Sequence, residues 1–204
     1  MTLRTLVLSG GGFHAFWYNL GVSSLLEKNN MPVLEGWSSG AIACVVGFFL
    51  SEIGQTKVLQ VALETKDEIK IKLFGTLRTV TYNFLNKLLP DDAHIRLSGK
   101  IGIYLTNTTL HGFIVTHWNT RSELISCVIA STFVPGITDF AFHDKHYNCI
   151  DGGFARNLKS LCRDKFVVRY TDNTPDDVQQ FIPISPIKAM QLFMLGRTVK
   201  LEFI

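Results

Sequence analysis

Residues 33–50 read VLEGWSSGAIACVVGFFL, and this stretch decides the fold. Val33-Leu34-Glu35 predicts a short strand that runs straight into Gly36. Residues 39–50 are apolar almost all round, the mark of a helix buried in the middle of a domain. Between them, Gly36-Trp37-Ser38-Ser39-Gly40 fits G-x-S-x-G. A strand-to-helix turn of this kind is tight, so the residues two before and two after the serine must be small. Gly36 and Gly40 meet that demand. Ser38 then sits at the N-terminus of the next helix, where the helix dipole favours developing negative charge. The bland alternative is a chance glycine-serine turn, and the strand before and helix after argue against it.

Working towards the N-terminus, residues 3–8 (LRTLVL) predict a short buried strand closed by Gly10-Gly11-Gly12. Residues 13–29 read as a helix, with Phe16, Leu20, Leu25 and Leu26 near helical spacing, and Met31-Pro32 breaks it. Three glycines between a strand and a helix bare their backbone N–H groups, a nest for an anion. In an acyl hydrolase that anion is the tetrahedral oxyanion. Gly10-x-Gly12-x-x-Ala15 also fits the dinucleotide fingerprint, with Glu35 as its acidic partner. The dinucleotide reading leaves GWSSG unexplained.

Towards the C-terminus, Asp151-Gly152-Gly153 follows a short predicted strand at 147–150. An aspartate there is either a plain turn residue or the base that takes the proton of Ser38. His143 and His146 precede it, so a Ser–His–Asp triad is a minor alternative, and a metal site from His143, Asp144 and His146 a weaker one. Both readings suffer because these residues fall at the bend of a predicted hairpin, strands 140–142 and 147–150. His14, His94, His111 and His117 read as surface or packing residues.

The rest of the chain supplies scaffold. Helices are expected at 56–74, with a break near Asp67, and at 81–89, stopped by Pro90. Strands are expected at 101–106, 113–118 and 166–170. Thr120 and Glu123 have capping-box spacing and open a helix to about Ala130. Ser185-Pro186 opens a last helix to about 200. This order of elements predicts an α/β domain with a mostly parallel sheet, residues 1–204 forming one domain.

Composition narrows the function classes. A hydrophobic fraction of 47% against 18% charged excludes a disordered chain. Twenty Lys and Arg against 17 Asp and Glu leave a net charge of +3, without the clustered cations of a nucleic-acid binder. That balance tolerates an anionic membrane surface. The longest apolar run, Ala41–Leu50, is too short to span a bilayer, and the N-terminus lacks a signal-peptide core. Cys44, Cys127, Cys149 and Cys162 show no CxxC spacing and read as reduced, buried thiols of a reducing compartment.

The glycine triplet, the G-x-S-x-G turn and the D-G-G turn, in this order, resemble the patatin-like phospholipase family over residues 5–158. Ala130-Ser131-Thr132-Phe133-Val134-Pro135 resembles the A-S-x-x-x-P stretch of that family. The resemblance implies a patatin-like three-layer α/β domain whose mostly parallel central sheet is flanked by helices. It implies a Ser–Asp dyad, with Ser38 the nucleophile, Asp151 the base and the N–H groups of Gly10, Gly11 and Gly12 the oxyanion hole. Acyl esters of membrane or neutral lipids are the substrates so implied, met at a membrane or lipid-droplet surface. Neither cofactor nor metal nor nucleic acid is expected, and the location is cytoplasmic with peripheral membrane association. A catalytically inactive lipid-binding or regulatory module is the alternative.

Two spellings depart from the family. His14 stands where Arg or Lys is usual, and Trp37 where a small residue usually precedes the serine, so that Trp37 is expected to narrow or line an acyl channel. Gly10–Ala15 is spelled more like the cytosolic phospholipase A2 relatives. Phe16, Trp17 and Tyr18, with Ile187, Met190, Phe193, Met194 and Leu195 of the last helix, are candidates for a lipid interface, against the alternative of a packed core helix.

Overall fold

The computed structural model describes residues 5–26, 33–71, 77–136, 138, 146–170 and 185–198. Strand β1 (Leu6–Leu8) lies in the middle of a sheet and all three of its residues are buried. It pairs in parallel with β2 (Leu34–Gly36) on one side and β6 (Phe166–Val168) on the other. Strand β3 (Ile101–Thr106) pairs in parallel with β2. Two strands run antiparallel to β3: β4 (Gly112–Val115) and the two-residue β5 (Ile150–Asp151). The sheet is mostly parallel, as expected, with its antiparallel pairs confined to β3.

Alternation along the strands feeds two cores. Leu6 and Leu8 join a large cluster with Ile103, Leu105 and residues of helices α1 (Gly12–Leu26), α2 (Ser39–Phe48) and α7 (Arg121–Ser131). Val7 points the other way, into a small cluster with Trp37 and Tyr104. Leu158 and Leu161 of the short helix α8 (Leu158–Leu161) cover that second face. Helices therefore flank the sheet on both sides, and each face loses its apolar area to them.

Helix α2 is packed into the large cluster along nearly its whole length, which is why it carries no charged residue. A short helix α3 (Leu50–Ile53) extends it past a turn at Phe49. Helix α4 (Gln55–Ile71) runs through Asp67 without the expected break. Its partner α5 (Leu77–Leu88) begins four residues before the predicted start at 81, with Leu77 and Val80 already buried. Helix α6 (Ala93–Leu97) has no counterpart among the expectations: five residues carry too little periodicity to be read. The cap of α7 follows the capping box in half: the Thr120 hydroxyl accepts from the Glu123 N–H, while Glu123 reaches back to Asn119 instead of Thr120. Helix α9 (Pro186–Gly196) starts at its Ser185 cap as expected. The strand expected at 147–150 contracts to β5, and 140–142 and Met31-Pro32 lie outside the described residues. Cys44, Cys127 and Cys149 are core residues.

A tight constraint falls where α2 meets β1. A Cβ on Gly40 would sit 2.1 Å from the Leu8 carbonyl oxygen and 2.8 Å from that of Ser9. Both obstacles are backbone, so neither can rotate aside. Gly40→Ala is expected to cost about 3 kcal/mol or more. Thermal unfolding should show this as a midpoint lowered by roughly 6–12 °C.

Candidate active site

Ser38 has φ 56° and ψ −131°, a conformation that a residue with a side chain adopts only under strain. The strain is imposed from both ends. Trp37 N–H is tied to the Leu8 carbonyl, and the carbonyls of Trp37 and Ser38 accept the first bonds of α2. The Ser38 N–H is itself held: it forks to the carbonyl oxygen of Ser131 at 3.0 Å and to the Ser131 hydroxyl at 3.1 Å. That hydroxyl donates onward to the Tyr104 carbonyl at 2.8 Å. Ser131 is completely buried at the last turn of α7.

The Ser38 side chain stands near enough to the Asp151 carboxylate to favour its ionised form. Asp151 closes β5, and its N–H is fixed by the Phe133 carbonyl at 2.9 Å. A 3-10 turn at Gly152–Phe154 follows, and its Gly153 N–H donates to Asp151 Oδ1 at 2.8 Å. Asp151 is almost wholly buried, and this burial pushes its carboxyl up to about 6, against the pull of the Gly153 N–H and the nearby Ser38 side chain. The carboxylate is therefore mostly ionised at neutral pH and poorly solvated, the state a general base needs.

The glycine triplet passes beside the serine. A Cβ on Gly10 would fall 2.8 Å from Ser38 Cβ and 3.2 Å from Oγ. Gly11 and Gly12 have φ of 141° and 63°, so the turn into α1 is open only to glycine. Gly12, Ser38 and Ser39 line one cavity together with Phe13, Phe16, Trp17, Ile42 and Phe84. The rest of the lining is largely apolar, with Arg78 and several threonines among it. Sequence reasoning missed Ser39: its hydroxyl is buried, faces the same cavity and has no hydrogen-bond partner. It missed the role of Ser131 too, although the A-S-x-x-x-P spelling marked the segment.

Several sequence expectations are redirected. Trp37 does not line the cavity; its ring packs on Tyr104 at 5.6 Å on the opposite face of the sheet. His14 stacks on Tyr170 at 6.4 Å. Phe16 and Trp17 are buried in the core, and Tyr18 lies against Tyr170 at 5.2 Å. No histidine lines the cavity among the described residues. His146 stands by Tyr147 and the charge of Glu123, and His143 and Asp144 lie outside the described residues. No cluster with metal-ligand composition occurs among the described residues. Glu35, the acid of the dinucleotide reading, is engaged by Lys165 Nζ at 2.6 Å and the Tyr104 hydroxyl at 2.5 Å.

Comparison with known proteins agrees with this geometry. A profile of the patatin-like phospholipase family matches residues 6–159. Human patatin-like phospholipase domain-containing protein 2 is 32% identical over 165 residues, covering 74% of this chain and 32% of its own length. A human 1-acylglycerol-3-phosphate O-acyltransferase is 28% identical, covering 76% of this chain and 34% of its own. Human omega-hydroxyceramide transacylase is also 28% identical, covering 75% and 31%. The chain spans about a third of the length of these relatives. It belongs to the patatin-like phospholipase family.

Two variants test the geometry without substrate. Because the Asp151 pKa is raised on folding, the native state binds the extra proton between about pH 4 and about pH 6. Its contribution is fully present below that window and is lost as pH rises through about 6. At neutral pH the buried charge costs on the order of 3 kcal/mol. Asp151→Asn should therefore raise the neutral-pH melting midpoint by several degrees and flatten its fall between pH 4 and 6. Ser131→Ala leaves the Ser38 N–H one acceptor, its carbonyl, and should lower stability by about 1–2 kcal/mol in denaturant titrations.

Proposed function

We propose that this member of the patatin-like phospholipase family is a serine acyl hydrolase that cleaves carboxylic esters of membrane or neutral lipids. One observation carries the reading: a strained serine that lines a largely apolar cavity stands beside a buried, desolvated carboxylate. Ser38 is the nucleophile and Asp151 the base. As Ser38 Oγ attacks the ester carbonyl, its proton passes to Asp151, and the new C–O bond turns the carbonyl oxygen into an oxyanion. The N–H groups of Gly10, Gly11 and Gly12 stabilise that charge, aided by the N-terminus of α2. Collapse expels the alcohol or lysolipid, which leaves with the proton held by Asp151. Water then enters, gives a proton to Asp151 and frees the acid, restoring the serine. Two groups suffice where the carboxylate takes the hydroxyl proton directly, with no imidazole between them.

A second reading differs only in the last step. In an apolar pocket an alcohol acceptor competes well with water for the acyl-enzyme, and the product is then a new ester. The names of two relatives, an O-acyltransferase and a transacylase, favour keeping it open. Product analysis with and without an added lipid alcohol separates the two.

Fluorophosphonate labelling followed by mass spectrometry tests the common step. A single adduct on Ser38 is expected, absent in Ser38→Ala and slowed by about 100-fold or more in Asp151→Asn. A folded protein with no adduct would leave the inactive lipid-binding module as the reading that stands. The labelling rate should rise with pH, reach half its maximum near 6 and stay level above, because only the Asp151 carboxylate accepts the proton.

A further inference from the structure

Helix α9 buries one side and leaves the other bare. Ala189, Leu192 and Phe193 are each about 2% exposed and form the face packed into the core. The opposite side carries Ile187, Met190, Met194 and Leu195, with exposures of 73, 39, 50 and 51%. At helical spacing Ile187, Met190 and Met194 form one stripe, and Leu195 extends that side beyond the exposed Gln191. A soluble helix normally places charge there, since its core face is already spent on Ala189, Leu192 and Phe193. Lys188 and Arg197 border the stripe on its two sides, and residues 185–198 contain no acid. Neither cation pairs with a carboxylate among the described residues.

The position of the stripe matters as much as its composition. Pro186 and Ala189 line the cavity that holds Ser38. Pro186 also begins the surface groove formed with Ile187, Met190, Gln191 and Met194. Leu63 of α4, 37% exposed, stands on the cavity wall as well. The apolar surface is thus continuous from the cavity out along α9. No helix among the described residues is long and apolar enough to cross a membrane. The arrangement is that of a helix lying in the plane of an interface, apolar centre down, with cations at its margins reaching the headgroups.

We propose that the outer face of α9 docks the protein on an anionic lipid surface and so sets the mouth of the Ser38 cavity against it. This rests on the hydrolase reading only for its purpose; the docking itself needs no catalysis. The lipid commits as occupant on two grounds, the continuity of the stripe with the cavity and two cations that pair with no carboxylate among the described residues. A second protein copy would have no use for either.

Flotation of the 204-residue chain with vesicles tests the proposal. Two compositions are needed: phosphatidylcholine alone, and equal parts phosphatidylcholine and phosphatidylserine. The chain should float with the mixed vesicles. In the triple variant Ile187→Gln/Met194→Gln/Leu195→Gln, none of whose residues lines the cavity, vesicle binding should fall by at least ~10-fold. Its melting midpoint and its rate on a water-soluble short-chain ester should stay at the starting values. Lys188→Gln and Arg197→Gln should each weaken binding to the mixed vesicles roughly fivefold and leave phosphatidylcholine binding alone. The proposal is overturned if the chain does not float, or if the triple variant floats as well as the parent. It is equally overturned if the variant only converts a dimer to a monomer in analytical ultracentrifugation, because the stripe then meets a second copy. Loss of flotation in the variant, from a parent with no esterase activity, would sustain the docking and sink the hydrolase reading alone.

Discussion

The site depends on the register along one edge of β3. On that edge Gly36 of β2 stands opposite Ile103, and Asp151 of β5 stands opposite Leu105. Strand β4 occupies the other edge, so β5 continues the line that β2 leaves. The turn after Gly36 and the end of β5 are thereby brought level, two residues apart along a common template. A slip of one residue in either pairing would send the side chains to the opposite face of the sheet. The end of α7 then locks what β3 has aligned: Ser131 holds the Ser38 N–H and Phe133 holds the Asp151 N–H. Two side chains separated by more than a hundred residues of chain are fixed by backbone bonds to one short segment.

The local parts of this plan were legible in the sequence. Glycines at 36 and 40, an apolar helix behind them and a glycine triplet after the first strand each answer a steric demand of the immediate backbone. Helix starts with a hydroxyl cap at Thr120 and Ser185 were legible for the same reason. Illegible were the features that only long-range pairing creates. Nothing in Ser131 itself says that its hydroxyl will bridge Ser38 and Tyr104. Nothing in Trp37 says which face of the sheet it will take, and its neighbour in sequence misleads: alternation puts Trp37 on the far side from Ser38, with Tyr104. The unbroken α4 shows the same limit, since an interior Asp weakens a helix by little and packing on α5 decides the outcome.

The two buried carboxylates are treated in opposite ways. Glu35 is given a lysine and a phenol, and its charge is neutralised within the second core. Asp151 receives one backbone N–H, with the Ser38 side chain beside it. A cation beside Asp151 would make it a better anion and a worse base. Asp151 therefore sits in the costlier of the two surroundings, while the same sheet shows that a charge partner was within the means of the fold.

The brevity of β5 has a consequence for cooperativity. Two residues cannot hold a strand by themselves; β5 persists because β3 and the Phe133 carbonyl accept it. Asp151 therefore shares the fate of the α7 terminus instead of having a stability of its own. Any sub-global opening that frees the end of α7 would release the N–H groups of Ser38 and Asp151 together, exposing both to hydrogen exchange in one step. Ser38 and Asp151 then belong to a single cooperative unit, whatever the distance between them in the chain.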